Sequence, residues 1–163
     1  MNIATPLKNV LKSHLASSKA MLAVNVQSIQ QIEIVSLISS ELQTEVIIQF
    51  SAKYIDYFEK LIEGVNDNRL KIYLYHIPQV SGVGLSIDLV KKLKSSYPDF
   101  IIGIKDSSGV WENTEALLKI KDLVVYPGAE LPVIEAIKLG APGCISATAN
   151  LNSKDISSVI DFC

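Results

Sequence analysis

Lys105 closes an apolar run, Ile101-Ile102-Gly103-Ile104-Lys105, and opens onto a polar loop, Asp106-Ser107-Ser108-Gly109. On a strand of period two, Gly103 and Lys105 share a face with Ile101. In parallel α/β proteins ligands bind beyond the carboxyl ends of the strands, which is where Lys105 falls. An ammonium group held there loses hydration, its pKa drops, and a neutral, nucleophilic amine becomes available. The alternative is a lysine whose stem packs on the strand end while its head reaches water. Spacing alone favours that alternative.

A second candidate lies in Tyr73-Leu74-Tyr75-His76-Ile77-Pro78. Tyr73 and Tyr75 share a strand face, with Tyr75 nearer the carboxyl end, where a phenol can pass protons between a bound intermediate and water. Two core tyrosines with satisfied hydroxyls account for the same pattern. His76 falls on the opposite face and is expected to pack against a helix. A third candidate is Gly143-Cys144-Ile145-Ser146-Ala147-Thr148-Ala149-Asn150, whose small residues let backbone approach a ligand or let a helix pack on the sheet. The histidines, His14 and His76, stand in no ligand spacing, so no metal site and no cofactor are expected.

The elements that would position these residues follow one rhythm, a short apolar run, a turn, then an amphipathic stretch. Strands are predicted over 21–26, 45–50, 71–77, 100–105, 123–126 and 143–147. Helices are predicted over 30–42, 52–65, 86–94, 111–121, 131–139 and 153–162. Ile34, Leu37 and Ile38 are expected to line the buried face of the first helix, Ser86 to cap its own, and Pro78 to stop a strand. Nearly all-apolar strands alternating with helices predict a parallel α/β fold. About six strands are too few for a closed eight-stranded barrel, which usually takes about 250 residues. The expectation is one incomplete (β/α)8 TIM-barrel domain over 1–163: an open or partial barrel, a unit that assembles with another chain, or a truncated product.

Bulk properties exclude several function classes. The chain has 163 residues, 48% of them hydrophobic and 20% charged, with a net charge of −2. Interspersed charges leave no footprint for nucleic acid or an anionic membrane, so a small-molecule partner is expected. Lys8, Lys12, His14 and Lys19 break up the stretch before Met21, so no secretory leader is expected. Cys144 and Cys163 read as reduced thiols of a cytoplasmic protein.

Taken together, four segments resemble the fifth to eighth strands of the dihydrodipicolinate synthase/N-acetylneuraminate lyase family. They are Tyr75-His76-Ile77-Pro78 with Ser81-Gly82, Gly103-Ile104-Lys105-Asp106-Ser107-Ser108-Gly109, Gly128 before a helix, and Gly143 through Asn150, in matching order and spacing over about 54–163. The resemblance implies a Schiff-base aldolase or lyase acting on a 2-oxo acid such as pyruvate and an aldehyde. It implies Lys105 as the imine-forming lysine, Tyr75 as the proton relay, and Gly128 and Ile145 as backbone lining of the pyruvate pocket. Two departures stand out. Val80 occupies the position of the arginine that grips a substrate carboxylate in the family's synthases, and the family's Gly-Thr-Thr-Gly-Glu loop occurs nowhere in the chain.

Residues 1–53 are similar instead to the opening strand–helix–strand of class II fructose-bisphosphate-type aldolases, through Pro6-Leu7-Lys8, Ala23-Val24-Asn25-Val26 and Val46-Ile47-Ile48-Gln49-Phe50-Ser51. Those enzymes use zinc held by histidines. Here the unit is expected to be structural, with a soft boundary near residue 50. The alternatives to a Schiff-base enzyme are an inactive barrel remnant and a metal-dependent class II relative. Exposed strand edges and apolar helix faces predict a homo-oligomer.

Overall fold

The apolar runs are short and rich in Ile, Val, Tyr and Phe, residues whose side chains suit a pleated surface. The stretches between them mix polar residues with apolar ones at helical spacing. The computed structural model describes residues 22–26, 29–42, 46–51, 62 and 71–163. Among these, the chain runs β1 (Leu22–Asn25), α1 (Ile29–Leu42), β2 (Val46–Ser51), β3 (Ile72–His76), α2 (Pro78–Ser81) and α3 (Ile87–Ser96). It continues through β4 (Ile101–Asp106), α4 (Trp111–Leu118), β5 (Val124–Pro127), α5 (Val133–Lys138) and α6 (Ala149–Phe162). The helix expected over 52–65 lies outside the described residues except at Ile62, which is helical.

The five strands form one sheet in the order β1-β2-β3-β4-β5, every pair parallel. Parallel crossovers are right-handed, so a strand order that never reverses sends every crossover helix to the same side. A doubly wound sheet would reverse its order and take helices on both faces. The burial pattern follows. Ile72, Leu74, Ile104 and Val125 are buried in one cluster with Ile32 and Val35 of α1, Val90 of α3 and Leu117 of α4. Tyr73, Tyr75, Lys105 and Tyr126, at the alternate positions, are only half-buried on the other side of the sheet.

Several local expectations hold. Ser86 caps α3, its Oγ accepting from the Leu89 N–H at 3.2 Å. Pro78 follows the end of β3 and starts α2, where a missing N–H costs nothing. Others need correction. Of the described side chains of α1, Ile32, Val35 and Ile38 are buried, while Ile34 and Leu37 are exposed. A stripe one residue to the side fits the period equally well from sequence, and packing into the cluster with Val26, Ile72 and Leu74 chose between them. Ile101 does not share the face of Gly103 and Lys105. The β3–β4 register pairs Ile72 with Ile101 but Tyr73 with Gly103, leaving Ile102 as a bulge. That extra residue puts Ile101 into the same helix-side cluster as Ile104. α5 starts at Val133 because Pro132 disfavours a helical Leu131 before it. Residues 143–147 do not join the sheet as a further strand; the Ile145 N–H to Pro127 carbonyl bond, at 3.0 Å, ties them to β5.

Candidate active site

Register builds the site. Tyr75 of β3 pairs with Lys105 of β4, and Lys105 pairs with Tyr126 of β5, so all three stand side by side at the carboxyl ends of their strands. The Lys105 Nζ lies 4.3 Å from the centroid of the Tyr75 ring, a cation–π contact across two strands. Tyr126 was not singled out from sequence. Its only signal was its place immediately before Pro127-Gly128, and it becomes visible once the strands are aligned.

Beneath this row lies an aromatic bridge. Tyr73 reaches across β4 to Tyr126, their ring centroids 5.7 Å apart and the planes inclined at 56°. The ring of Tyr73 passes so close over Gly103 that a β-carbon there would collide with it, and would sit 2.6 Å from the Val124 carbonyl oxygen. Gly103 is therefore required by the bridge. Burial pushes the Tyr126 phenol above its ordinary pKa, opposed by a hydrogen bond with Tyr73.

Beyond the last residues of the strands the parallel ladder continues into the loops. The His76 carbonyl accepts from Ser107 N–H at 2.8 Å, the Asp106 carbonyl from Gly128 N–H at 2.7 Å, and the Pro127 carbonyl from Ile145 N–H at 3.0 Å. These bonds place the backbone of Gly128 and Ile145 at the rim that carries Lys105 and Tyr75. Gly128 packs on Ser107 so closely that a β-carbon would lie 2.8 Å from the Ser107 Cβ. Further along, the Ser146 hydroxyl donates to the Glu130 carboxylate, holding its pKa below the ordinary range, and Ala149 N–H donates to Ser146 Oγ at 3.2 Å. Burial, and after it the negative charge of Glu130, pushes the Cys144 thiol up.

The opposite face of the same strand ends is polar and satisfied. His76 is buried, and its Nδ1 accepts from Leu85 N–H at 2.9 Å in the loop leading to α3. Sequence placed it against a helix; the residues over it are those that precede the helix. Asp106 is also buried, with hydrogen-bond donors from the loop after β4 and from α4. Among the described residues, no group of three His, Cys, Asp or Glu side chains could hold a metal ion. Among the same residues no helix is long and apolar enough to cross a membrane.

A family model described as the dihydrodipicolinate synthetase family matches residues 49–163. An uncharacterized DapA-like lyase of Chloroflexus aurantiacus is 32% identical over 106 residues, which cover 64% of this chain and 35% of that protein. A 4-hydroxy-tetrahydrodipicolinate synthase of Ruthia magnifica is 35% identical over 91 residues, 55% of this chain and 30% of that protein. The chain thus spans about a third of the length of these relatives. Among solved structures, the dihydrodipicolinate synthase of Agrobacterium tumefaciens superposes with a TM-score of 0.71 at 28% identity, covering 93% of this chain and 58% of that one. The 2-keto 3-deoxygluconate aldolase of Picrophilus torridus shares the fold, with a TM-score of 0.73 at 21% identity over 98% of this chain and 61% of that one. A likeness covering that much of the chain takes in β1 and β2, so the first strands share this fold with the rest.

Proposed function

The chain belongs to the dihydrodipicolinate synthetase family, and from that premise we propose that it is a Schiff-base aldolase or lyase acting on a 2-oxo acid such as pyruvate. The observation that carries the reading is the placement of Lys105, whose Nζ meets the Tyr75 ring at the carboxyl ends of adjacent parallel strands. The Lys105 amine adds to the ketone carbon to give a carbinolamine. Its hydroxyl takes a proton from the Tyr75 phenol and leaves as water, producing an iminium ion. The iminium draws electrons from the adjacent carbon. The Tyr75 phenolate takes the α-proton, giving an enamine that attacks an aldehyde whose oxygen takes that proton back, and the reverse sequence releases an aldehyde. The Gly128 and Ile145 backbone lines the pocket in this reading. Val80 carries no charge where the family's synthases use an arginine to grip a substrate carboxylate, which favours an aldolase or lyase reaction on another 2-oxo acid over that of the synthases.

The reading places the protein in the cytoplasm as one part of a (β/α)8 TIM barrel, with no metal or other cofactor. It includes self-association, since Leu131 and Leu151 are 98% and 92% exposed. The absent Gly-Thr-Thr-Gly-Glu loop favours a second reading, a barrel segment with no activity of its own.

One experiment separates the two. Incubation with pyruvate and borohydride is expected to add one pyruvate-derived mass to the peptide containing Lys105. Lys105→Ala abolishes the adduct, and so does Lys105→Arg, because a guanidinium stays charged and forms no imine. Tyr75→Phe slows trapping by up to the roughly 10²–10⁴-fold that a proton relay supplies. Absence of an adduct on the unaltered protein, where a full-length family member is trapped under the same conditions, overturns the enzyme reading in favour of the second.

A further inference from the structure

Asp106 follows Lys105 directly, yet its side chain lies on the other face of the sheet, 3% exposed. A carboxylate taken out of water is costly unless donors surround it. Three are supplied. Ser108 N–H donates to Oδ1 at 2.9 Å, while Asn113 Nδ2 and Thr114 Oγ1 donate to Oδ2 at 3.0 and 2.7 Å. All three come from the loop and first helical turns that immediately follow the lysine. The N-cap position of α4, Val110, offers no side-chain cap, so the strand's own terminal carboxylate gathers the start of that helix. The Asp106 carbonyl meanwhile accepts Gly128 N–H at 2.7 Å. Gln79 of α2 adds a brace from the other side, its Nε2 donating to the Ser107 and Ser108 carbonyls at 3.1 and 2.6 Å.

We propose that Asp106 is a positioning residue for Lys105. From the helix face its carboxylate clamps the loop after the lysine, and its main-chain carbonyl holds Gly128, so the end of β4 presents Nζ to the Tyr75 ring in one geometry. Asp106 touches no substrate. The inference rests on the reading of Lys105 as the amine nucleophile, and it gives a reason for a buried carboxylate directly behind that lysine.

The test uses Asp106→Asn, which turns one acceptor oxygen into a donor facing Asn113 and Thr114, and Thr114→Val, which removes a single donor at nearly constant shape. Thr114→Ser keeps the hydroxyl and serves as the rescue. Two readouts are taken on the whole chain. In pyruvate–borohydride trapping, both disruptive variants are expected to lower the maximal rate about tenfold at unchanged half-saturating pyruvate, as slight misplacement of a reacting group does. Thr114→Ser is expected to match the unaltered protein. In trace acetylation with acetic anhydride, which needs no substrate, Lys105 labelling is compared with that of Lys119, whose side chain is 68% exposed. The ratio is expected to move toward one in both disruptive variants, as Lys105 comes free of the Tyr75 ring. If the thermal midpoint falls while trapping curves and labelling ratio stay as in the unaltered protein, Asp106 is a stabilising residue only and the proposal is overturned. If the unaltered protein traps nothing but the labelling ratio still moves, positioning by Asp106 stands and the Schiff-base reading falls.

Discussion

Lys105 and Asp106 are neighbours in the chain and look out on opposite sides of the same sheet. On the helix side, each buried group has its partner: Ile104 and Ile101 are fully buried among apolar side chains, and His76 and Asp106 are hydrogen-bonded. On the other side, Tyr75, Lys105 and Tyr126 are only half-buried, and the Lys105 Nζ lies over the face of the Tyr75 ring. One side is saturated, and the other keeps groups whose interactions a ligand can replace. In the positioning role proposed for Asp106, the helix side sets where the atoms of the other side stand.

Substitutions on the two sides should therefore fail differently. The largest contrast is Lys105→Ala, which should lose the pyruvate adduct entirely while leaving the thermal midpoint near that of the unaltered protein. Ile104→Ala should do the opposite. Truncating a fully buried isoleucine costs about 2–5 kcal/mol, read by denaturant unfolding, while the molecules that remain folded still form the adduct. Gly103→Ala tests the boundary between the sides. Its methyl meets the Tyr73 ring and the Val124 carbonyl, and overpacking of about 1–3 kcal/mol together with slower trapping is expected. Stability loss without any change in trapping would show that the aromatic bridge is irrelevant to the site.

A smaller effect should appear in alkaline titration. The Tyr126 pKa is raised by burial, so the folded state holds that proton more tightly than the unfolded chain does. The resulting stability is fully present below the ordinary tyrosine pKa and is lost as pH rises through the raised one. Spectrophotometric titration should show a late-ionising phenol that Tyr126→Phe removes; persistence of the full late-ionising amplitude in that variant would refute the assignment.

How far the site was legible depended on how far apart its parts lie. Lys105 is a candidate because a charge ends an apolar run, and Tyr75 because it lies nearer the carboxyl end of its strand, while their roles come from the family resemblance and not from spacing. Nothing within its own strand distinguishes Tyr126, which only the alignment of β4 with β5 brings beside Lys105. Ile101 was placed on the wrong face because the bulge at Ile102 arises from pairing with β3, which period-two counting along β4 cannot register. The buried stripe of α1 was shifted for the same reason, since Ile34 and Leu37 fit the helical period as well as Ile32 and Val35 do. Residues 143–147 read as a strand by composition, but a strand also needs a partner along its length, and here the described bond to β5 is that of Ile145.

By itself the sequence determined the alternation of strand and helix, the Ser86 cap, the stop at Pro78 and the position of Lys105 at a strand end. All of these arise from backbone geometry and hydrogen bonds that span only a few residues. Tertiary structure alone decided that Tyr75, Lys105 and Tyr126 share one row, that Tyr73 crosses over Gly103, and that Asp106 gathers its donors behind the lysine. Each of those depends on register between strands or on packing of a helix against them. Sliding a strand by a single residue keeps every local preference and exchanges the faces of the sheet.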